Sequence, residues 1–368
     1  MIRKRFSFMA STALACAFAA TSPIAGAASS QSAELQSIGP IAFSPTGLLL
    51  VADPKAAAVL AIEVDDTTVA HQASLEKLSN IDAKIAEALG TTADDILIND
   101  LAINPVSKNA YLSVSRGRGP DSIPVVVRVG SGERIEIVDL SGLSFTSATL
   151  PNPPEDAFMG EGRRRRNPRM SSITDIAWVD GAVVVAGLSN EEFASTLRTI
   201  PYPFAEAGVG TGVEVYHGAH GRFETHAPIR TFVPYELQGE TNILAAYTCT
   251  PLVRIPVSKL KSGENVRGTT IAEMGAGNRP LDMIVYQHDD HDYFLMANSN
   301  RGVMKIDSEG LETYGAITAR VSDKEGVPYE TVVEWDGVMQ LALLDDHHAA
   351  VVTKNESGAH DLVALALP

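Results

Sequence analysis

The chain has 368 residues, a formal net charge of −16 and 20% charged residues. An acidic balance of this size is unsuited to binding nucleic acid or an anionic membrane surface. The two cysteines are too few for a disulfide-rich scaffold or for a zinc site made of several thiolates.

The N-terminus has the pattern of a secretory signal peptide. Three basic residues at positions 3–5 precede the apolar stretch Phe6–Thr21, and small residues at positions 25–27 fit a cleavage site. We therefore expect residues 1–27 to be removed and residues 28–368 to form one periplasmic or secreted domain. Cys16 lies in a poor match to a lipoprotein box, so secretion is favoured over lipid anchoring. Cleavage brings the net charge to −19 and leaves Cys249 as the sole thiol.

A repeated sequence pattern occupies the rest of the chain: an apolar run, a polar turn, and a second apolar run that ends in a small or polar residue. Five copies are Ile41–Asp53, Leu101–Ser115, Ile176–Ser189, Met283–Ser299 and Leu341–Lys354. A sixth unit is found by aligning Ala245–Ile255 without a gap on Met296–Ile306. Continued backwards, Pro228–Val233 falls on Pro280–Val285 with one inserted residue. Strand–turn–strand units that recur at a long period are typical of a β-propeller. The sequence therefore predicts an all-β, six-bladed β-propeller with four strands per blade.

Closure of the ring is predicted from the chain ends. The last unit stops after its third strand, Leu362–Leu367, and Glu34–Ser37 is expected to supply the missing outer strand and protect the sheet edge. A seventh blade would need two good strands in Thr318–Val338, which that segment lacks.

Four insertions interrupt the repeats: Asp65–Ile98, Arg116–Pro124, Phe145–Ser172 and Asn190–Gly212. The first is expected to hold a short helix, because its apolar residues recur at helical spacing and Gly90 follows them. Their positions in the repeat predict that all four lie on one face. Long loops on a rigid scaffold commonly carry function.

The six residues directly before the first strands of the units are expected to ring the central channel. They are Pro40, Asp100, Asp175, Arg230, Asp282 and Gln340. Asp100, Asp175 and Asp282 are candidate ligands for a divalent cation such as Ca²⁺. The alternative, that these carboxylates accept backbone N–H bonds, is favoured. If Arg230 forms an ion pair with one of these carboxylates, the ring has a structural role and needs no bound cation.

A second ring is expected at the turns after the second strands. It comprises Asp53, Arg116, Asn190, Cys249, Asn300, Arg301 and Asn355. Cys249 is a candidate nucleophile or soft-metal ligand, with an inert thiol as the favoured alternative.

Two further clusters allow opposing interpretations. His217, His220 and His226 suggest a metal site, but the segment reads as a hairpin turn, and solvated histidines are favoured. The basic cluster Arg163–Arg166 with Arg169 suggests a site for an anionic ligand or an acidic partner protein. The alternative is a solvated loop without a binding role.

The repeated second strand and its polar turn resemble the six-bladed propeller superfamily that includes NHL-repeat, strictosidine-synthase-like and gluconolactonase-type proteins. In the lactonase branch, Glu, Asn and Asp side chains hold a central metal. Asp100, Asp175 and Asp282 occupy comparable places here, but the expected Glu is missing and Arg230 intrudes.

Three functions are open from the sequence. The first is an exported binding module that takes a small molecule or a periplasmic protein on the inserted face. The second is a metal-dependent, lactonase-like hydrolase with its site at the channel mouth. The third is an accessory protein of a periplasmic redox or metallo-enzyme.

Overall fold

The computed structural model describes residues 33–162, 165–249 and 251–368. The signal peptide expected at residues 1–27 lies outside the described residues and stays a prediction. The strands are β1 (Ile41–Phe43), β2 (Leu49–Asp53), β3 (Ala58–Ile62), β4 (Ile96–Ile103), β5 (Ala110–Arg116), β6 (Ile123–Val129), β7 (Ile135–Ile137), β8 (Phe145–Thr149), β9 (Asp175–Val179), β10 (Ala182–Leu188), β11 (Ser195–Pro201), β12 (Thr211–His217), β13 (Arg222–Glu224), β14 (Ile229–Leu237), β15 (Glu240–Tyr247), β16 (Pro251–Pro256), β17 (Asn265–Arg267), β18 (Thr269–Met274), β19 (Pro280–His288), β20 (His291–Asn298), β21 (Gly302–Asp307), β22 (Lys324–Gly326), β23 (Glu330–Val332), β24 (Val338–Leu343), β25 (His348–Lys354) and β26 (His360–Ala366).

These strands form six sheets arranged as the blades of a β-propeller, which confirms the predicted fold class. We number the blades by the chain order of their innermost strands: β1, β4, β9, β14, β19 and β24. Each second strand is buried on both faces, because a blade is covered by a neighbour on each side. This double burial explains the continuous small and apolar runs of the repeat.

The blades are not arranged around the ring in chain order. Contacts between innermost strands place β1 between β4 and β9, and β4 between β1 and β24. The order around the ring is therefore blade 1, 3, 4, 5, 6, 2. A separate apolar layer fills each of the six interfaces, and each layer draws its residues from the two blades that this order makes neighbours.

The chain path explains the unusual order. After β3 the chain crosses to build blade 2, and it then returns to pair β8 with β3 as the outer strand of blade 1. Phe145–Thr149, expected to open an insertion, is thus a strand that completes the first sheet.

Blade 6 has three strands, and Glu34–Ser37 does not supply a fourth. The backbone amides of Gln36 and Ser37 instead donate to the buried carboxylate of Asp53 in blade 1. The outer edge of blade 6 is occupied by Leu78, whose amide and carbonyl both bond to Leu362 of β26. The predicted N-terminal strand was wrong because a competing segment lies nearer to that edge.

The helix expected in Asp65–Ile98 is present as α1 (Ile81–Leu89), and it ends at Gly90 in the left-handed region with φ 64°. Ile81 and Ile85 pack between blades 2 and 6. The segment that leads to α1 begins at the opposite end of the propeller from the other insertions, because Asp66 is bound there by Ser107 and Tyr111. It then runs along the outside of the ring.

The turns after the second strands meet one another on one side of the ring, which we call the loop face. Arg118 donates to the carbonyls of Asp94 and Ile96, and Ser172 donates to that of Pro54. The end of the first insertion, the second insertion and the end of the third therefore share this face. Asn190–Gly212 differs from expectation, since most of its first half is the third strand β11.

Thr318–Val338 does not form a further blade. Its short strands β22 and β23 extend blades 4 and 5. None of the helices in the described part of the chain is long and apolar enough to span a bilayer.

Candidate functional site

Three aspartates lie at the loop-face end of the central channel, in alternate blades of the ring. Asp100, Asp175 and Asp282 belong to blades 2, 3 and 5. Each carboxylate accepts one hydrogen bond from the following amide of its own strand, at 2.7–2.9 Å. Its second oxygen accepts from an amide in the next blade, at 2.6–2.8 Å. The triad therefore joins blade 2 to blade 1, blade 3 to blade 4, and blade 5 to blade 6.

Burial dominates the electrostatics of this triad. It raises the pKa of Asp175 to about 8, with a smaller contribution from the charge of Asp100. It raises the pKa of Asp100 to about 7, and that of Asp282 well above its ordinary value. Near neutral pH Asp100 and Asp175 are therefore partly protonated. Protonated carboxyls are poor ligands for a hard cation.

Arg230 does not stand in this ring. β14 and β19 carry the same β-bulge, between Ile229 and Thr231 and between Pro280 and Asp282, so Thr231 and not Arg230 is the counterpart of Asp282. Gln340 does lie at the level of Asp282, and its side-chain amide donates to the carbonyl of Asn99 in blade 2. The gap-free register that aligns Ala245–Ile255 on Met296–Ile306 places Thr231 on Asp282 when it is continued backwards. Arg230 was placed there because the sequence alignment inserted one residue.

Below the aspartates a cavity of about 400 Å³ opens towards the side opposite the loop face, and all six blades line it. Its wall is mixed, with Phe43 and Trp178 among the apolar lining residues, and Ser44 and the aspartates among the polar ones. The triad thus closes one end of this cavity.

The second predicted ring divides into structural and exposed members. Asp53 is buried and holds Gln36, Ser37 and Ala56 by their backbone amides. Arg116 extends the β4–β5–β6 ladder. Asn190 is exposed and donates its backbone amide to Asn152. Asn355 closes its own turn by accepting from Ala359.

The remaining members of this ring meet at the connection between blades 4 and 5. The amide of Cys249 donates to Asn278, and Cys249 has a φ of 63° and a free thiol. Asn300 and Arg301 donate to the carbonyls of Gly277 and Ala276. Four sequence-predicted positions, including Arg230, are therefore brought to one quadrant of the loop face.

This quadrant contains a group of arginines that we call the arginine cluster: Arg166, Arg230 and Arg279. Burial, with smaller contributions from the positive charges of Arg279 and Arg166, lowers the pKa of Arg230 to about 10. Arg230 Nε donates to the hydroxyl of Thr248 at 3.1 Å. Among the described residues, no carboxylate forms an ion pair with any of the three.

Arg166 is the member of this cluster that comes from the basic run Arg163–Arg166, of which positions 163 and 164 lie outside the described residues. Arg169 is structural, since its guanidinium donates to the carbonyls of Pro154 and Lys55. Sequence reasoning missed Arg279, whose only signal is its place directly before the first strand of a repeat.

No family model matches the chain, and no curated protein matches it. Solved structures resemble it weakly. A glucose dehydrogenase aligns at 11% identity with a TM-score of 0.35, over 91% of this chain and 97% of that one. The soluble aldose sugar dehydrogenase from Escherichia coli aligns at 11% identity with a TM-score of 0.29, over 90% of this chain and 97% of that one. The plexin A4 extracellular region aligns at 10% identity with a TM-score of 0.37, over 89% of this chain and 46% of that one. Resemblance at this level carries no argument about ligand or activity.

Proposed function

We propose that the protein is an exported propeller that binds an anionic ligand at the arginine cluster on its loop face. The observation that carries this proposal is the set of three neighbouring arginines without a carboxylate partner in the described part of a chain whose net charge is −16. Half-burying a guanidinium without a counter-ion costs free energy, and clusters of this kind are commonly kept for binding. Arginine is well suited to oxyanions because its planar fork donates two parallel hydrogen bonds.

The ligand class follows from the donors present. Guanidinium groups from three neighbouring blades suit a small molecule that carries carboxylate or phosphate groups. The Thr248 hydroxyl and the Cys249 thiol lie beside them at the same turn. An acidic surface of a partner protein presents the same chemistry and is distinguished below by the size of the probe.

The hydrolase alternative with a metal at Asp100, Asp175 and Asp282 is less well supported. All six carboxylate oxygens already accept an amide hydrogen, and burial raises their pKa values. These contacts are what a role in joining blades requires, without a cation. An accessory role beside a redox or metallo-enzyme is compatible with anion binding.

Calorimetric titration with phosphate, sulfate and citrate at constant ionic strength tests the proposal. We expect saturable binding of at least one anion, weakened tenfold or more in Arg230→Gln and Arg279→Gln. Arg134→Gln is the matched control, because Arg134 is exposed and pairs with Glu136 in blade 2. Equal binding by all four proteins would overturn the proposal. Binding of acidic peptides but of none of the three small anions would replace the ligand by a protein partner.

A further inference from the structure

The hairpin turn between β12 and β13 is not a solvated loop, although its sequence suggests one. Only 3% of the His217 side chain is exposed, against 45% for His220 and 14% for Glu224. The turn folds back tightly, because the amide of Gly221 donates to the carbonyl of His217. This closure brings the side chains of positions 217 and 220 against β13.

Two imidazoles and one carboxylate converge at this turn. His217 Nδ1 lies 3.0 Å from Glu224 Oε2, and His220 Nδ1 lies 2.8 Å from Glu224 Oε1. The two rings are 3.9 Å apart. Among the described residues, this is the one group of three whose candidate ligand atoms all lie within 4.8 Å of one another. Donor atoms around a tetrahedral zinc ion are roughly 3.3 Å apart, so small side-chain movements suffice to admit one.

Two buried polar atoms beside the cluster have no hydrogen-bond partner: His217 Nε2 and Glu273 Oε2. Glu273 comes from β18 of blade 4, and its other oxygen accepts from the amide of Gly218 at 2.5 Å. Position 218 requires glycine, because a Cβ there would lie 2.7 Å from the Glu273 side chain. Buried polar atoms are nearly always satisfied, so the orphan oxygen of Glu273 points to a water or an ion beside this turn, and the orphan Nε2 of His217 points to a water on the other edge of its ring.

We propose that His217, His220 and Glu224 bind a divalent transition-metal ion, with zinc the best match to two imidazoles and one carboxylate. The exposed edge of His220 gives the ion a path from solvent. Glu273 lies near enough to the cluster for its charge to interact with those of His220 and Glu224. Arg222 also donates to Glu224, but its side chain is 72% exposed and is free to move away when a cation binds.

The site would join two blades. His217, His220 and Glu224 belong to the outer hairpin of blade 3, and Glu273 belongs to the outer part of blade 4. A metal at this place adds a connection at the rim of the propeller, where these blades meet through the short parallel pairing of β12 with β17.

Titration of the chelator-treated full chain with Zn²⁺, in competition with a chromophoric zinc chelator, tests the proposal. We expect one tight equivalent and at least a tenfold loss of affinity in His220→Ala and Glu224→Gln. His226→Ala is the matched control, since His226 is exposed and contacts Thr225. His347→Ala/His348→Ala removes a second histidine pair in another turn and should also retain the tight equivalent.

Cobalt provides a readout that does not depend on affinity alone. Four-coordinate Co²⁺ gives ligand-field bands that are much more intense than those of hydrated Co²⁺. We expect these intense bands in the wild type and in His226→Ala but not in His220→Ala. His220 is the more exposed of the two histidines, so its variant should fold, and circular dichroism checks that it does. The absence of a tight equivalent, or equal losses in His220→Ala and His226→Ala, would overturn the site.

Discussion

Asp100, Asp175 and Asp282 illustrate how a single side chain sets the relation between two blades. Each carboxylate bonds to one amide of its own strand and to one amide of a neighbouring blade. No other common side chain of this length offers two acceptor oxygens in such a geometry. The spacing in alternate blades means that three residues join all six blades in pairs.

We expect the free energy of unfolding to fall as the pH rises from about 4 towards 8. Burial raises the pKa of Asp175 to about 8 and that of Asp100 to about 7, whereas unfolded aspartates titrate near 3.8. Between these values the folded state binds more protons than the unfolded state, so stability is lost as the pH rises. The loss approaches about 1.4 kcal/mol per pH unit for each such group.

Denaturant unfolding at several pH values between 5 and 9 measures this effect. In Asp175→Asn the decline should be shallower, because one of the groups no longer titrates. Asp121→Asn, at an exposed position, is the control and should follow the wild type. A stability that rises from pH 6 to 8 in the wild type would contradict the assignment.

At the scale of secondary-structure elements, the outer edge of blade 6 depends on a short piece of a long connection. Leu78 exchanges both backbone hydrogen bonds with Leu362 and is fully buried beside α1. This pairing covers the edge of β26 for one residue only, and the helix covers the adjoining apolar surface. An edge protected in this way is vulnerable to a single substitution.

Leu78→Ala should lower the free energy of unfolding by about 3 kcal/mol, because it leaves a cavity among packed aliphatic side chains. Leu75→Ala is the comparison, since Leu75 only borders the same apolar layer and should cost less. Equilibrium denaturation measures both. Equal and small losses would show that the edge of blade 6 does not depend on Leu78.

The elements that the sequence predicted well are those with a long apolar signal. The paired first and second strands of every repeat are present, and α1 ends at Gly90 as its pattern indicates. The outer strands were harder to predict because several have only three residues, such as β7 and β13. The histidine turn was misjudged because Glu273, which buries it, lies more than fifty positions further along the chain.

At the scale of the whole molecule, the blade order could not be predicted from the repeats. Six similar units specify six similar blades, but the apolar faces that pack between blades look alike in every unit. The arginine cluster was hard to predict for another reason: Arg166, Arg230 and Arg279 lie at the starts of three successive blades, far apart in the sequence.

A zero-length carbodiimide cross-linker should couple Lys77 to Asp361, which are far apart in the sequence. Lys77 Nζ lies 3.5 Å from Asp361 Oδ2. Lys84 of α1 and Glu133 of the turn between β6 and β7 form an ion pair beside blade 2 and serve as the positive control. Mass spectrometry of the digested, cross-linked monomer identifies both links. Formation of the control link without the Lys77–Asp361 link would contradict the placement of this connection against blade 6.

The return of the chain to blade 1 has a consequence for biosynthesis. The third strand, β3, leaves the ribosome roughly 80 residues before β8, its outer partner. At 5–20 residues per second, its edge stays unpaired for roughly 4 to 16 s. Nascent chains of this protein should therefore be most in need of chaperones while the second blade is being synthesised, and least once Thr149 has emerged.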